Sequence, residues 1–519
     1  MSQNPPVTTI QLELTDGECW WGGAVPDGQV MPFGRRPHTR NLATNAGLLA
    51  NPDDGANQSA SLLVSNSGRF VWSELPFTFS FDGTGRLEVT GTDVVVGAGG
   101  DSVADAYRAV SRAFFPPAGT TPAEVMFTSP QYNTWMEMPY RPTQDAVLVY
   151  ARGILDAGFP PGLLMIDDRW SRDYGTWEFD TAQFPDPRAM VDQLHEWGFP
   201  VMLWLVPFLS PDSANFRLAR KAGWLICGAD GEPVIRKWWN GYSAAPDLTD
   251  PAALDWLRGE LRRLQDDFGV DGFKFDAGDL RDYRLDDRTV AGSGPTGQCE
   301  AWARFAAEFD YNELRACWKL GGQPLAQRLH DKPCRWGPGG LGSLIPESIA
   351  QGLIGDVFNC PDMIGGGDVA YVLDGAPVDQ ELFVRFAQCA ALFPMMQFSM
   401  APWRVLDNEH FAAVKAAVEL RQSLLPEIMA LVAHAARTGE PILRPLAYHH
   451  RGYERVHDQF LLGEDLLVAP VLEPAATSRT VLVPPGRWTD PAGSVVEGPT
   501  EITIPVNLRS VPWWRRLEP

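Results

Sequence analysis

Residues 250–279 read DPAALDWLRGELRRLQDDFGVDGFKFDAGD, and this stretch decides the fold. Asp250 caps a helix whose first residue, Pro251, has no amide hydrogen to leave unpaired. Leu254, Leu257, Leu261, Leu264 and Phe268 fall on one face of that helix. Gly269 stops it. Gly272-Phe273-Lys274-Phe275 then forms a short strand that ends in Asp276. An amphipathic helix, a glycine stop and a buried strand with a polar end make one repeat of a parallel α/β design.

The same order recurs upstream. A helix over residues 143–157 leads through Gly158-Phe159-Pro160 to Leu163-Leu164-Met165-Ile166 and on to Asp167-Asp168. A helix opened by Asp186-Pro187, with Met190, Leu194 and Trp197 on one face, leads to an apolar strand over residues 201–206. No glycine-rich dinucleotide turn follows the first strand, which argues against an open nucleotide-binding sheet. The expectation is an α/β fold with a (β/α)8 barrel over residues 121–435. Before it, residues 8–14, 70–72 and 77–81 alternate apolar and polar between turn residues, which predicts an N-terminal β-sandwich over residues 1–120. A helix over residues 102–115 and the linker Pro116-Pro117-Ala118-Gly119 close that segment. After the barrel, residues 481–486 and 501–506 predict one or two C-terminal β domains over residues 436–519.

Composition narrows the function. The chain has 519 residues, 45% hydrophobic, with 43 basic and 65 acidic side chains and a net charge of −22. That field repels phosphate backbones and anionic lipid, so neither nucleic acid nor membrane is an expected partner. No apolar run is long enough to span a bilayer. The start, Met-Ser-Gln-Asn-Pro-Pro, shows no basic stretch before an apolar core, and the 7 cysteines are scattered without a CxxC pair. A cytoplasmic protein with free thiols is expected. The histidines show no metal-binding spacing, and neither metal nor cofactor is expected. No Gly-x-Ser-x-Gly elbow is present. Nothing in the sequence excludes a homo-oligomer.

Barrel enzymes place their chemistry at the C-terminal ends of the strands. That rule selects Asp167 and Asp168, Pro207 and Phe208, Asp276 and Asp279, and later Asp331 and Asp362. A strand-end aspartate can also simply cap the next helix. Several carboxylates around one mouth suit glycosidic bond cleavage, in which one attacks or stabilises an oxocarbenium-like centre and another protonates the leaving oxygen. Lys274 lies two residues before Asp276, on the same strand face, where a cation favours an ionised nucleophile. Trp204 is open to two readings, barrel packing or a sugar contact. Trp239, in the loop Trp238-Trp239-Asn240-Gly241, is a candidate stacking platform.

These residues resemble glycoside hydrolase family 31. The resemblance runs in order through Asp167-Asp168-Arg169-Trp170, Trp177-Glu178-Phe179-Asp180, Phe184-Pro185-Asp186-Pro187 and Asp271-Gly272-Phe273-Lys274-Phe275-Asp276-Ala277-Gly278-Asp279. It continues in Gly439-Glu440-Pro441-Ile442-Leu443-Arg444-Pro445, Gln459-Phe460-Leu461-Leu462-Gly463 and Pro484-Pro485-Gly486-Arg487-Trp488. The resemblance implies a retaining mechanism on α-glycosides, with Asp276 as nucleophile and Asp167 and Asp168 binding hydroxyls of the −1 sugar. The Lys-Phe-Asp-Ala-Gly form, with Pro361-Asp362-Met363-Ile364-Gly365-Gly366, is similar to a branch that includes bacterial α-galactosidases. The acid/base is implied in the window His330-Asp331-Lys332-Pro333-Cys334-Arg335-Trp336-Gly337. Asp331 is the candidate for that role. A second aspartate that relatives carry in this window falls on Pro333. Arg335 and Asp362 are expected substrate contacts, and Ser399 stands where α-glucosidase relatives have a histidine. α-Glucosidase, α-xylosidase, α-N-acetylgalactosaminidase and an inactive sugar-binding homologue are the alternatives. A retaining pair should hold its carboxyls roughly 5–5.5 Å apart.

Overall fold

A computed structural model describes residues 6–43 and 58–517. The chain divides into two compact units: residues 122–318 with 398–401, and residues 1–121, 319–397 and 402–519.

The first unit holds five parallel strands side by side, Gln131–Asn133, Leu164–Ile166, Val201–Leu205, Gly272–Phe275 and Asn312–Leu314. Helices Gln144–Asp156, Pro187–Glu196, Pro251–Phe268 and Gly294–Ala306 connect them, with a further helix, Ala214–Ala222, after the third strand. The local signals act where the sequence places them. The side chain of Asp250 accepts from the Ala252 amide, and Leu257, Leu261 and Leu264 are buried while Leu254 and Phe268 are only partly covered. Gly269 takes the left-handed conformation, φ 77°, and returns its N–H to Gln265. Thr143 and Asp186 cap their helices in the same way. Register pairs Trp204 with Lys274 and Leu205 with Phe275 on adjacent strands. The ends of the third and fourth strands therefore come level, which places residues 204 and 276 within reach of one another.

The second unit is mainly antiparallel. One four-stranded sheet joins Thr8–Glu13, Arg86–Gly91, Thr78–Asp82 and Pro37–Asn41. Another pairs Trp20–Ala24, Gln58–Ser65, Arg69–Trp72 and Val95–Ala98. Six antiparallel strands follow near the C-terminus, and Leu461, Leu467, Val481, Val483, Trp488 and Trp514 form their apolar core. Two short parallel strands, Gln327–Arg328 and Asn359–Cys360, carry Asp331 and Asp362 just past their ends. The buried helix Leu344–Leu353 packs on the turn Val25–Val30, where Gln29 Nε2 donates to Glu347 Oε1 at 2.6 Å.

Candidate active site

Asp276 leaves its strand through two consecutive left-handed residues, Ala277 at φ 53° and Gly278 at φ 71°. A side chain at 278 would bring its Cβ to 2.5 Å from Trp302, so glycine is required there for space as well as for φ. The turn sends the Ala277 N–H back to Asp276 Oδ1 at 2.8 Å. Arg315 Nε donates to the same oxygen at 2.8 Å, and the Trp204 indole donates to Oδ2 at 2.7 Å. All three partners are donors, the set an ionised carboxylate accepts from. The side chain of Asp276 is 12% exposed.

Arg315 also reaches Asp279 Oδ2 at 3.1 Å, and its guanidinium carbon lies 5.4 Å from the centre of the Trp239 ring. Trp239 remains 42% exposed, whereas its neighbour Trp238 is buried against Tyr174 and Phe208. Trp204 is held at both ends: its carbonyl accepts from the Trp170 indole at 2.6 Å. Trp204 is thus buried, with its indole turned to Asp276.

Lys274 carries its ammonium to Asp167 Oδ2 at 2.7 Å, with both side chains buried. Asp167 Oδ1 accepts from the Asp168 amide at 2.9 Å. Asp168 differs from its neighbour. It accepts from Tyr174 Oη at 3.1 Å and from Asn240 Nδ2 at 2.6 Å. Burial pushes its carboxyl up to about 7, helped by the charge of Asp167; Arg169, Tyr174 and Asn240 oppose the rise.

In the other unit, Arg328 Nη1 donates to Asp331 Oδ1 at 2.9 Å and to Asp362 Oδ1 at 2.5 Å. The side chain of Asp331 is 41% exposed and that of Asp362 is fully buried. Asp362 holds φ 99°, a strained value for a residue with a side chain, and its Oδ2 accepts from the amides of Lys332 and Gly367. Burial first, and then the Asp331 charge, push Asp362 up to about 6 against the pull of Arg328. Lys332 runs inward to a fully buried pair with Glu347. Arg335 is exposed. Ser399 is fully buried and commits its hydroxyl to the backbone, accepting from the Met136 amide and donating to the Asn133 carbonyl.

Pairwise contacts thus join Asp167, Asp168, Lys274, Trp204, Asp276 and Trp239 through shared partners, and Arg328 joins Asp331 to Asp362. Arg315, Arg328, Tyr174 and the polar role of Asn240 escaped the sequence reading. The strand-end rule applied to Leu314 would have found Arg315. Among the described residues, no group of three or more His, Cys, Asp or Glu side chains could hold a metal ion.

Two family models match the chain. The glycosyl hydrolases family 31 TIM-barrel domain covers residues 125–301, and the family 31 C-terminal domain covers residues 439–517. The myogenesis-regulating glycosidase of Mus musculus is 35% identical over 80% of this chain and 60% of its own length. The 1,3-alpha-isomaltosidase of Kribbella flavida is 28% identical over 64% of this chain and 50% of its own length. A solved family 31 dextranase of Flavobacterium johnsoniae, complexed with glucose, superposes with a TM-score of 0.85 over 99% of this chain and 67% of the dextranase, at 19% identity. The chain belongs to glycosyl hydrolase family 31, and its fold is a (β/α)8 barrel with β domains before and after it. It spans about half to three-fifths of the length of the curated relatives named here.

Proposed function

We propose that this protein is a retaining, exo-acting α-glycoside hydrolase and that its −1 sugar is an α-galactoside. The observation that carries the reading is the hold on Asp276: a strand-end carboxylate fixed by Trp204, Arg315 and the Ala277 amide, next to a half-open tryptophan. In the first step an Asp276 oxygen attacks the anomeric carbon and forms a glycosyl ester while Asp331 gives its proton to the leaving oxygen. In the second step Asp331 takes a proton from water, the water oxygen attacks the same carbon, and the ester bond breaks. Asp167, Asp168 and Lys274 bind sugar hydroxyls. Near neutral pH Asp168 is partly protonated, so it can donate as well as accept. Trp204 and Trp239 offer apolar faces to the sugar. Arg335 contacts the leaving portion. Asp362 acts through Arg328.

The galacto assignment rests on the Lys-Phe-Asp-Ala-Gly segment and on Ser399, whose hydroxyl is occupied by backbone where glucosidase relatives have a histidine. The test is a panel of aryl α-galactoside, α-glucoside, α-xyloside and α-N-acetylgalactosaminide, with the product anomer followed by NMR. Fastest cleavage of the galactoside with retained configuration is expected. Faster cleavage of another sugar overturns the galacto assignment, and an inverted product overturns the double displacement. A chain with no turnover even of activated glycosyl fluorides is not a hydrolase.

A further inference from the structure

The second unit contains a cleft of about 330 Å³ whose charged lining is entirely basic, in a chain whose net charge is −22. Arg35 and Arg36 come from one loop, Arg455 and His457 from a segment more than four hundred positions later, and His38 completes the wall. No carboxylate lines it. Four other arginines of the same unit pair with carboxylates: Arg40 with Asp27, Arg69 with Glu18, Arg108 with Glu440 and Arg479 with Asp458. Among the described residues, Arg35, Arg36 and Arg455 have no such partner.

Nearby acids are already committed. Asp27, beneath His38, is held by Arg40, and Glu454 accepts from Asn66 and from the Gly452 amide. The two segments converge on one point, because Arg35 and Arg455 both act on the buried Cys19 thiol. The His38 ring is fixed by stacking on Phe33, with centroids 4.4 Å apart. Unpaired guanidiniums grouped in a concave site are strongly attractive to an anion with several oxygens, which their forked donors match. The volume lies near the lower end for small-molecule sites.

We propose that this cleft binds a phosphoryl dianion, carried by a phosphomonoester of monosaccharide size. The inference is independent of the activity assigned to Asp276. Titration calorimetry of the full chain at constant ionic strength tests it with inorganic phosphate, glucose 6-phosphate and glucose. Saturable binding of glucose 6-phosphate is expected, with at least a tenfold loss in Arg35→Ala/Arg455→Ala and no binding of glucose. Equal affinity for inorganic phosphate assigns the site to the free ion, and tighter binding of the phosphomonoester assigns it to the sugar phosphate; either supports a phosphoryl site. Because both arginines are exposed, the double variant should keep the wild-type melting temperature and aryl glycoside turnover. Absence of saturable binding to the wild type, undiminished binding to the folded double variant, or heats reproduced by sodium chloride would overturn the proposal.

Discussion

The two carboxylates assigned to catalysis sit in unlike surroundings. Asp276 is nearly buried and accepts from three donors on three different segments. Asp331 is 41% exposed, and it shares one guanidinium with a second, fully buried aspartate. A nucleophile must stay anionic and fixed, whereas an acid/base must exchange a proton twice in each cycle. The proposed roles divide along that difference, with one residue type set to two tasks by donors, burial and neighbouring charge.

Asp276→Asn tests one side of the contrast most severely. It keeps the shape and removes the attacking anion, so kcat/KM on an aryl α-glycoside should fall by about 10⁴-fold or more. A loss below tenfold would remove Asp276 from the nucleophile role. Arg315→Met strips a charged donor from Asp276 and leaves the buried Asp279 without it. Turnover should fall about 10²-fold or more. Urea unfolding should show a loss of about 3–5 kcal/mol, the usual cost of breaking a buried pair. Normal turnover in that variant would mean that the guanidinium does not set the nucleophile's state.

Asp168→Asn reads the effect of burial directly. The folded value of about 7 lies above the ordinary 3.8, so between these values the native state holds the extra proton. Stability contributed by this group is therefore present below pH 4 and is lost as pH rises through 7. Between pH 4.5 and 8 the wild type should lose about 1–3 kcal/mol more than Asp168→Asn in urea midpoints converted to free energy. Parallel profiles would show that Asp168 is ionised throughout. The smallest effect is expected from Asp362→Asn, which removes a negative charge beside Asp331 and frees Arg328 for it. kcat/KM on an aryl α-glycoside should fall by about two- to tenfold. An unchanged kcat/KM would separate Asp362 from the acid/base.

The helix and strand of residues 250–276 were legible because their signals are local: a cap, a proline, leucines at helical spacing and a glycine stop. Asp167, Asp168 and Asp276 followed from the same grammar, since each ends an apolar run. Arg315 did not, because Asn312-Glu313-Leu314 is a three-residue strand with two polar members and no apolar run to mark its end. Lys274 was readable as a cation near the strand end, but its bond to Asp167 depends on a strand more than a hundred residues away. The behaviour of Asp168 depends on burial and on Tyr174 and Asn240, which only the folded chain brings together. The basic cleft was equally hidden, since its arginines belong to opposite ends of the sequence.

Because the Trp204 indole donates to Asp276, forming a glycosyl ester there would replace a full anion by a neutral acceptor at that nitrogen. The protein thus contains a built-in optical probe. A fluorescence transient that is present in the wild type and lost in Trp204→Phe would time the covalent step separately from product release.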